Sequence, residues 1–130
     1  MGHPAIAIAL PRDERELVAA ALREAELETI SIHEPADLEA HLEAGRDIGL
    51  AILDGEHDLD TTLECYALLH EDGRDIPALM ILSPQALDRV ADGHAGARDE
   101  YFTRPYSPES LRWRVEAMLI RRLAVDDGSG

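Results

Sequence analysis

Three side chains that can take part in chemistry stand directly after apolar stretches of the chain. Asp54 ends GLAILD, Ser83 ends ALMILS, and Arg104 ends YFTR. A carboxylate can act as a nucleophile in covalent catalysis. An aspartate at the end of a strand can also simply cap the loop or helix that follows. The elements that carry these residues decide between the two interpretations.

The apolar pattern predicts five strands alternating with five helices. Strands are predicted at 4–10, 27–33, 48–53, 76–82 and 101–103. Helices are predicted at about 13–25, from Pro35 to a stop at Gly45, at 61–71, at 85–93 and at 108–123. Helical spacing places the following residues toward a core: Leu17, Val18, Ala21, Leu22, Ala25, Leu38, Leu42, Leu63, Ala67, Leu68, Leu111, Val115, Met118, Leu119 and Leu123.

Short local signals mark several ends of these elements. Asp13 and Glu16 have the spacing of a capping pair for the first helix. Pro35 is a favourable first residue of a helix, and Gly45 a favourable stop. Residues 123–130, AVDDGSG with the preceding leucine, are polar and glycine-rich and are expected to form a linker or tail, which leaves 1–122 as one domain.

Alternation of strands and helices predicts an α/β fold, a doubly wound five-stranded parallel sheet with helices on both faces. In such sheets, ligands collect at the carboxyl ends of the strands near the switch in strand order. The three residues named first all lie at carboxyl ends of predicted strands. They are therefore expected at one edge of the sheet.

The set Asp54, Ser83, Tyr101 and Arg104-Pro105 resembles the receiver domains of two-component response regulators. The string GARDEYFTRPYSPESLRWRVEAML is similar in wording to the closing pattern of that family, and the resemblance covers about 4–122. It implies the flavodoxin-like receiver fold.

The resemblance also implies a role for each residue. Asp54 would be the phosphoacceptor, Ser83 and Tyr101 the switch pair, and Arg104 the phosphate-contacting cation. Family members hold Mg²⁺ with the aspartate and an acidic pair after the first strand. Phosphorylation reshapes the face made by the fourth helix, fifth strand and fifth helix. The Lys-Pro peptide of the family is cis, so Arg104-Pro105 is expected to be cis too.

Two departures separate this chain from the family pattern. Ala9 and Leu10 stand at the positions of the acidic pair and offer no metal ligand. Asp13 or Glu14 would replace them only if the loop shifted. Arg104 stands in place of the lysine; because the sequence contains no lysine at all, compositional drift explains this change as well as a functional one does.

These departures favour an atypical, degenerate receiver (a pseudo-receiver) that acts through protein contacts, with no bound metal and no enzymatic activity. The alternative is a working phosphoacceptor, with Mg²⁺ and a histidine kinase that phosphorylates Asp54. Expected partners are a histidine kinase or another signalling protein, an output domain after residue 130, and a second copy bound through the fourth helix, fifth strand and fifth helix. Trp113 in the last helix is either a partner-facing anchor or packed against a neighbouring helix.

Composition excludes several other classes of function. The net charge of −15 disfavours nucleic-acid binding. No apolar run reaches the roughly 20 residues of a membrane span, and the start lacks a basic signal-peptide region. Cys65 is alone, which suits a reducing, cytoplasmic setting and a packed role. The six histidines match no metal-binding spacing.

Overall fold

A computed structural model of the chain describes residues 4–90 and 100–128. Its five strands form one all-parallel sheet in the order β2-β1-β3-β4-β5. The strands are β1 (Ala5–Ala9), β2 (Thr29–Ser31), β3 (Ile48–Asp54), β4 (Ala78–Leu82) and β5 (Glu100–Thr103). The helices are α1 (Arg12–Glu24), α2 (Pro35–Glu43), α3 (Leu59–His70), α4 (Pro84–Val90) and α5 (Pro108–Gly128). The predicted fold class and element order are confirmed.

The sheet separates two apolar layers, because alternate residues of a strand point to opposite faces. Leu50 and Ile52 of β3 face α1 and α5, whereas Ala51 and Leu53 face α2 and α3. Every residue of β3 is buried, as expected for a central parallel strand covered on both sides. Asp54 therefore ends the most enclosed strand of the sheet.

Local signals predicted some helix ends and missed others. Pro35 opens α2, and Gly45 follows α2 with a φ of +81°, a conformation that glycine adopts without strain. The prediction that Asp13 and Glu16 form a capping pair is wrong. Helix α1 begins at Arg12, after Pro11, and no side chain caps it. Asp58 caps α3 by accepting a hydrogen bond from the Thr61 amide, so α3 begins two residues earlier than predicted.

Three residues predicted to face the core are exposed. Leu17 is 62% exposed and Leu63 53% exposed, and Ala67 is exposed as well. Leu68 is buried as predicted, and the other buried residues of α3 are Thr62, Cys65 and Leu69. Adjacent apolar residues make the helical register ambiguous in this segment. The prediction that Cys65 packs is confirmed, and burial raises the pKa of its thiol to about 11.

The last two helices differ from prediction mainly in extent. Helix α5 continues to Gly128, through most of the segment predicted as a linker or tail, while the boundary of the domain at 122 stays a prediction. Residues 91–93 of the predicted fourth helix, and the side chain of Leu123, lie outside what the structure describes. No helix within the described part of the chain has the length and apolar character needed to cross a membrane.

Candidate functional site at the carboxyl edge of the sheet

The Asp54 side chain is buried, and the loop that follows β3 holds it in place. Only 7% of the residue is exposed. Its Oδ1 accepts hydrogen bonds from the amides of Glu56 at 3.1 Å and His57 at 3.3 Å. Its Oδ2 lies 2.7 Å from Nδ1 of His57. The Thr62 hydroxyl of α3 donates to the Asp54 carbonyl oxygen, which fixes the turn between strand and helix.

Arg104 enters the same site from the end of β5, where the Arg104-Pro105 peptide is cis as expected. Its guanidinium donates to both oxygens of Glu14, from Nε at 3.1 Å and from Nη2 at 2.8 Å. Nη1 donates to Oε1 of Glu56 at 2.6 Å. Nη1 and Nη2 each lie 3.4 Å from Oδ1 of Asp54. One planar cation thus contacts three carboxylates, one from α1 and two from the end of β3 and the loop that follows it.

The pKa values of Arg104 and Glu56 reflect this pairing of charges. Burial alone would lower the pKa of Arg104, but the hydrogen bonds to Glu14 and Glu56 raise it above its ordinary value. For Glu56, burial acts to raise the pKa, and the hydrogen bonds from Arg104 and Ser83 outweigh it, so the pKa is lowered. Both shifts favour the charged forms of the pair.

Tyr106 closes the cluster on the α1 side. Its hydroxyl donates to Oε2 of Glu14, the oxygen that also accepts from Nε of Arg104. Burial and this hydrogen bond to an anion raise the pKa of the phenol. The ring packs edge-on against Phe102 of β5, with ring centroids 5.6 Å apart. Glu14 is therefore held by two donors from the β5–α5 segment.

Ser83 follows the last residue of β4, as predicted, and its side chain binds the helix that comes next. Its Oγ accepts a hydrogen bond from the Ala86 amide at 3.1 Å, which makes Ser83 the N-cap of α4. The residue also hydrogen-bonds to Glu56, and these bonds lower the pKa of that carboxyl group. Through Glu56, Ser83 is connected to Arg104 and so to Asp54.

Tyr101 lies on β5 beside Met80 of β4 and is half-buried. Tyr101 lies three residues before Arg104 in the sequence, and Phe102 follows it on the same strand. Its role as a switch residue stays a prediction.

The positions of the lost acidic pair border Asp54 directly. Ala9 ends β1, and Leu10 is buried, with 4% exposed. Both line a cleft of about 220 Å³ that Asp54 and His57 also line. Asp13 is exposed, but Glu14 does reach the site, by way of Arg104. Within the described ranges, no three His, Cys, Asp or Glu side chains are grouped so as to hold a metal ion.

Three residues of the cluster were missed from the sequence: Glu56, His57 and Tyr106. Glu56 and His57 follow Asp54 within three positions, and His57 was considered only as one of the six histidines, whose spacing matches no metal-binding pattern. Tyr106 follows Arg104 by two positions. Proximity in sequence to Asp54 and Arg104 was the available signal, because loops after parallel strands line the same edge.

Comparison with known proteins agrees with the fold and with the resemblance. No family model matches the chain. Over 85 residues it is 36% identical to the response regulator MprA of Mycolicibacterium vanbaalenii, an alignment that covers 65% of this chain and 33% of MprA. The chain thus spans about a third of the length of that relative.

Solved structures show the same fold at low sequence identity. The chemotaxis response regulator CheY4 of Vibrio cholerae superposes with a TM-score of 0.73 and 18% identity, over 91% of this chain and 99% of CheY4. A streptococcal protein, described as one of a family of redox sensors that evolved from two-component response regulators, superposes with a TM-score of 0.75 and 17% identity, over 95% of this chain and 55% of that protein. The fold is that of response-regulator receiver domains, and the MprA match supports the resemblance at the level of sequence.

Proposed function

We propose that this chain is the receiver-like domain of a response regulator, and that it signals through protein contacts without accepting a phosphoryl group on Asp54. The likeness to MprA and the receiver fold support the first part. The second part depends on one observation. Arg104 lies among Glu14, Asp54 and Glu56 and donates a hydrogen bond to each of them.

The residues of the site do not fit a magnesium ion well. Mg²⁺ needs about six oxygen ligands in near-octahedral geometry and binds carboxylates that carry unpaired charge. Here the three carboxylates share one guanidinium, and the neighbouring positions carry Ala9 and Leu10. Arg104 thus neutralises charge that a divalent cation would otherwise neutralise.

Both oxygens of Asp54 are also engaged. Oδ1 faces Arg104 and two backbone amides, while Oδ2 faces the His57 ring. A carboxylate that attacks phosphorus needs one oxygen with an open approach. His57 would have to turn away before Oδ2 met an incoming phosphoryl group, which supports a site that is held rather than reactive.

Magnesium rescue of an Arg104 variant tests the proposal. In Arg104→Ala, three carboxylates lose their shared cation, and we expect the variant to be less stable than the wild type. We expect Mg²⁺ to raise the melting temperature of the variant, because it now binds the folded state, and to leave the wild type unchanged. Thermal denaturation at constant ionic strength, with Mg²⁺ exchanged for Na⁺, measures both effects.

Arg46→Ala is the matched control. Arg46 pairs with Glu28 at 2.8 Å on the surface, so its removal also takes away one cation from an acidic protein. Magnesium should not rescue this variant selectively. A wild-type protein that Mg²⁺ stabilises as strongly as it stabilises Arg104→Ala contradicts the proposal.

A working phosphoacceptor is the second candidate, and the position of Glu14 favours it. Glu14 supplies an acid near Asp54 although Ala9 and Leu10 do not. If Arg104 withdrew on binding a kinase, Glu14, Asp54 and Glu56 would form an acidic set for Mg²⁺. In that case a histidine kinase donates to Asp54, and Ser83 and Tyr101 act as the switch pair.

The proposed contact surface is α4, β5 and α5, for a second copy or another signalling protein. Two large apolar side chains of α5 point outward, Trp113 with 64% and Ile120 with 65% exposed. They are seven positions apart and lie on one side of the helix. The exposure of Trp113 favours the partner-facing interpretation over packing against a neighbouring helix. A cytoplasmic setting, an output domain and a cognate kinase belong to the same proposal.

A further inference from the structure

Asp54 and His57 form a carboxylate–imidazole pair in which the acid is buried and the ring is not. Oδ2 of Asp54 lies 2.7 Å from Nδ1 of His57, and the two side chains are 9% and 59% exposed. The His57 amide also donates to Oδ1 of the same carboxylate, at 3.3 Å. The histidine is thus held at two points while most of its ring meets solvent.

This geometry determines which ring nitrogen is available. The Asp54 carboxylate, which faces Arg104, can accept hydrogen bonds but cannot donate them. In the neutral imidazole, Nδ1 must therefore carry the proton, and Nε2 carries the exposed lone pair. A carboxylate hydrogen-bonded to one nitrogen of a histidine fixes the tautomer and the orientation of the ring. Both oxygens of Asp54 are engaged, so Asp54 has no free nucleophilic atom. Nε2 of His57 is free and is held in a fixed orientation.

We propose that Nε2 of His57 is a phosphoryl-acceptor site, with Asp54 as its positioning residue. This proposal rests on the proposed function, because it requires that Asp54 binds His57 and does not itself accept a phosphoryl group. His57 borders a cleft that Arg15 also lines, and Arg15 supplies positive charge for phosphoryl oxygens. The same cleft includes Glu34 and Asp58, whose charges disfavour highly anionic donors. The expected donor class is a small phosphoramidate with low net charge.

The transfer balances without any other reactant. The Nε2 lone pair forms a bond to phosphorus as the P–N bond of zwitterionic phosphoramidate breaks, and ammonia leaves with that electron pair. The product is an N-phosphoryl imidazolium whose Nδ1–H still donates to Asp54. The carboxylate stabilises the positive charge that develops on the ring.

The test compares histidines within one molecule. The full chain is incubated with phosphoramidate, and the phosphorylation rate of each histidine is measured by peptide mass spectrometry under alkaline conditions, which preserve phosphohistidine. His33 is the reference, because it is exposed and lines the same cleft, but its ring makes no hydrogen bond to a carboxylate among the described residues. We expect His57 to react about tenfold faster than His33, the lower end of what an orienting partner contributes.

Asp54→Asn separates orientation from mere exposure. The amide can turn its NH₂ group toward Nδ1 and so favour the wrong tautomer. The rate at His57 should then fall to that of His33, while the rate at His33 stays constant. Nitrogen chemical shifts of the His57 ring should show the proton on Nδ1 in the wild type and on Nε2 in the variant.

Two results overturn this inference, and they can be told apart from failure of the proposed function. Equal rates at His57 and His33, or a His57 rate that Asp54→Asn does not change, overturn the acceptor site alone. A hydroxylamine-sensitive acyl phosphate on Asp54 overturns both proposals, because it shows that the aspartate is the reactive group.

Discussion

At the scale of the residue, Arg104 is the side chain on which the site depends. Its side chain is 18% exposed and contacts three acids. Arg104 is therefore the centre of a partly buried ion network and not one half of a surface ion pair. Removal of one partner from a buried pair leaves uncompensated charge and costs about 3–5 kcal/mol. We expect Arg104→Ala to lose about 2–4 kcal/mol of the free energy of unfolding, since the site is only partly buried.

Arg104→Lys separates charge from shape. Lysine retains the cation but not the planar fork that reaches Glu14 and Glu56 together. Chemical denaturation should place this variant between the wild type and Arg104→Ala. An Arg104→Lys protein as stable as the wild type would show that charge alone is required.

Glu56 predicts how the network responds to acid. Its pKa in the folded protein is lowered from 4.5, so the unfolded chain takes up protons more readily. The stabilisation it contributes is present above about pH 4.5 and is lost as the pH falls through its lower folded value. Denaturant midpoints measured from neutral to acid pH should fall less steeply in Glu56→Gln than in the wild type. Identical slopes would contradict this prediction.

At the scale of the element, two serines cap helices that border the site, and they form a matched pair. Ser83 accepts from the Ala86 amide at the start of α4, and Ser107 accepts from the Ser110 amide at the start of α5, each at 3.1 Å. Loss of an N-cap costs about 1 kcal/mol. We expect Ser83→Ala to speed hydrogen exchange in the first turn of α4 but not of α5.

Ser107→Ala should show the reverse pattern, with faster exchange at the start of α5 alone. Ser83 also bonds Glu56, so only its variant should in addition alter the acid response of the network. Equal exchange in α4 for both variants would mean that Ser83 does not hold that helix.

The elements themselves were largely readable from the sequence. Five strands and five helices were predicted in the correct order, because buried parallel strands are continuous apolar runs and the helices between them are periodic. The faces of the helices were less readable. Leu63 was placed inward and is exposed, since α3 offers apolar residues on adjacent positions and only packing selects among them.

The sequence predicted which residues lie at the site but not the hydrogen bonds and ion pairs between them. Asp54, Ser83 and Arg104 were expected at one edge of the sheet because they end parallel strands. The bridge from Arg104 to Glu14 joins residues 90 positions apart, and no local pattern encodes it. His57 is a loop residue whose ring direction depends on the turn after β3, so its pairing with Asp54 appears only in three dimensions.

At the scale of the whole molecule, the exposed apolar side chains of α5 support the proposed contact surface. The chain carries 27 acids and 12 arginines, yet Arg112 and Arg114 flank the exposed Trp113. Exposed tryptophan beside arginine is typical of interface anchors. Trp113 and Ile120, exposed on one side of α5, form the surface that we propose a second copy covers.

Light scattering over a range of concentrations should therefore show a dimer that Trp113→Ala weakens. Leu63→Ala is the control, because Leu63 is also exposed, at 53%, but lies on α3 across the sheet from α5. A strict monomer at high concentration, or equal weakening by both variants, would contradict a dimer formed through α5.

The most direct test of the central claim is an amide NMR spectrum of the wild-type chain, titrated with Mg²⁺ and then with beryllofluoride, which mimics an aspartyl phosphate. With Arg104 and His57 engaging both oxygens of Asp54, we expect no saturable shifts at Asp54, Ser83 or Tyr101. Saturable shifts around these residues that disappear in Asp54→Ala would show a working phosphoacceptor and contradict the account.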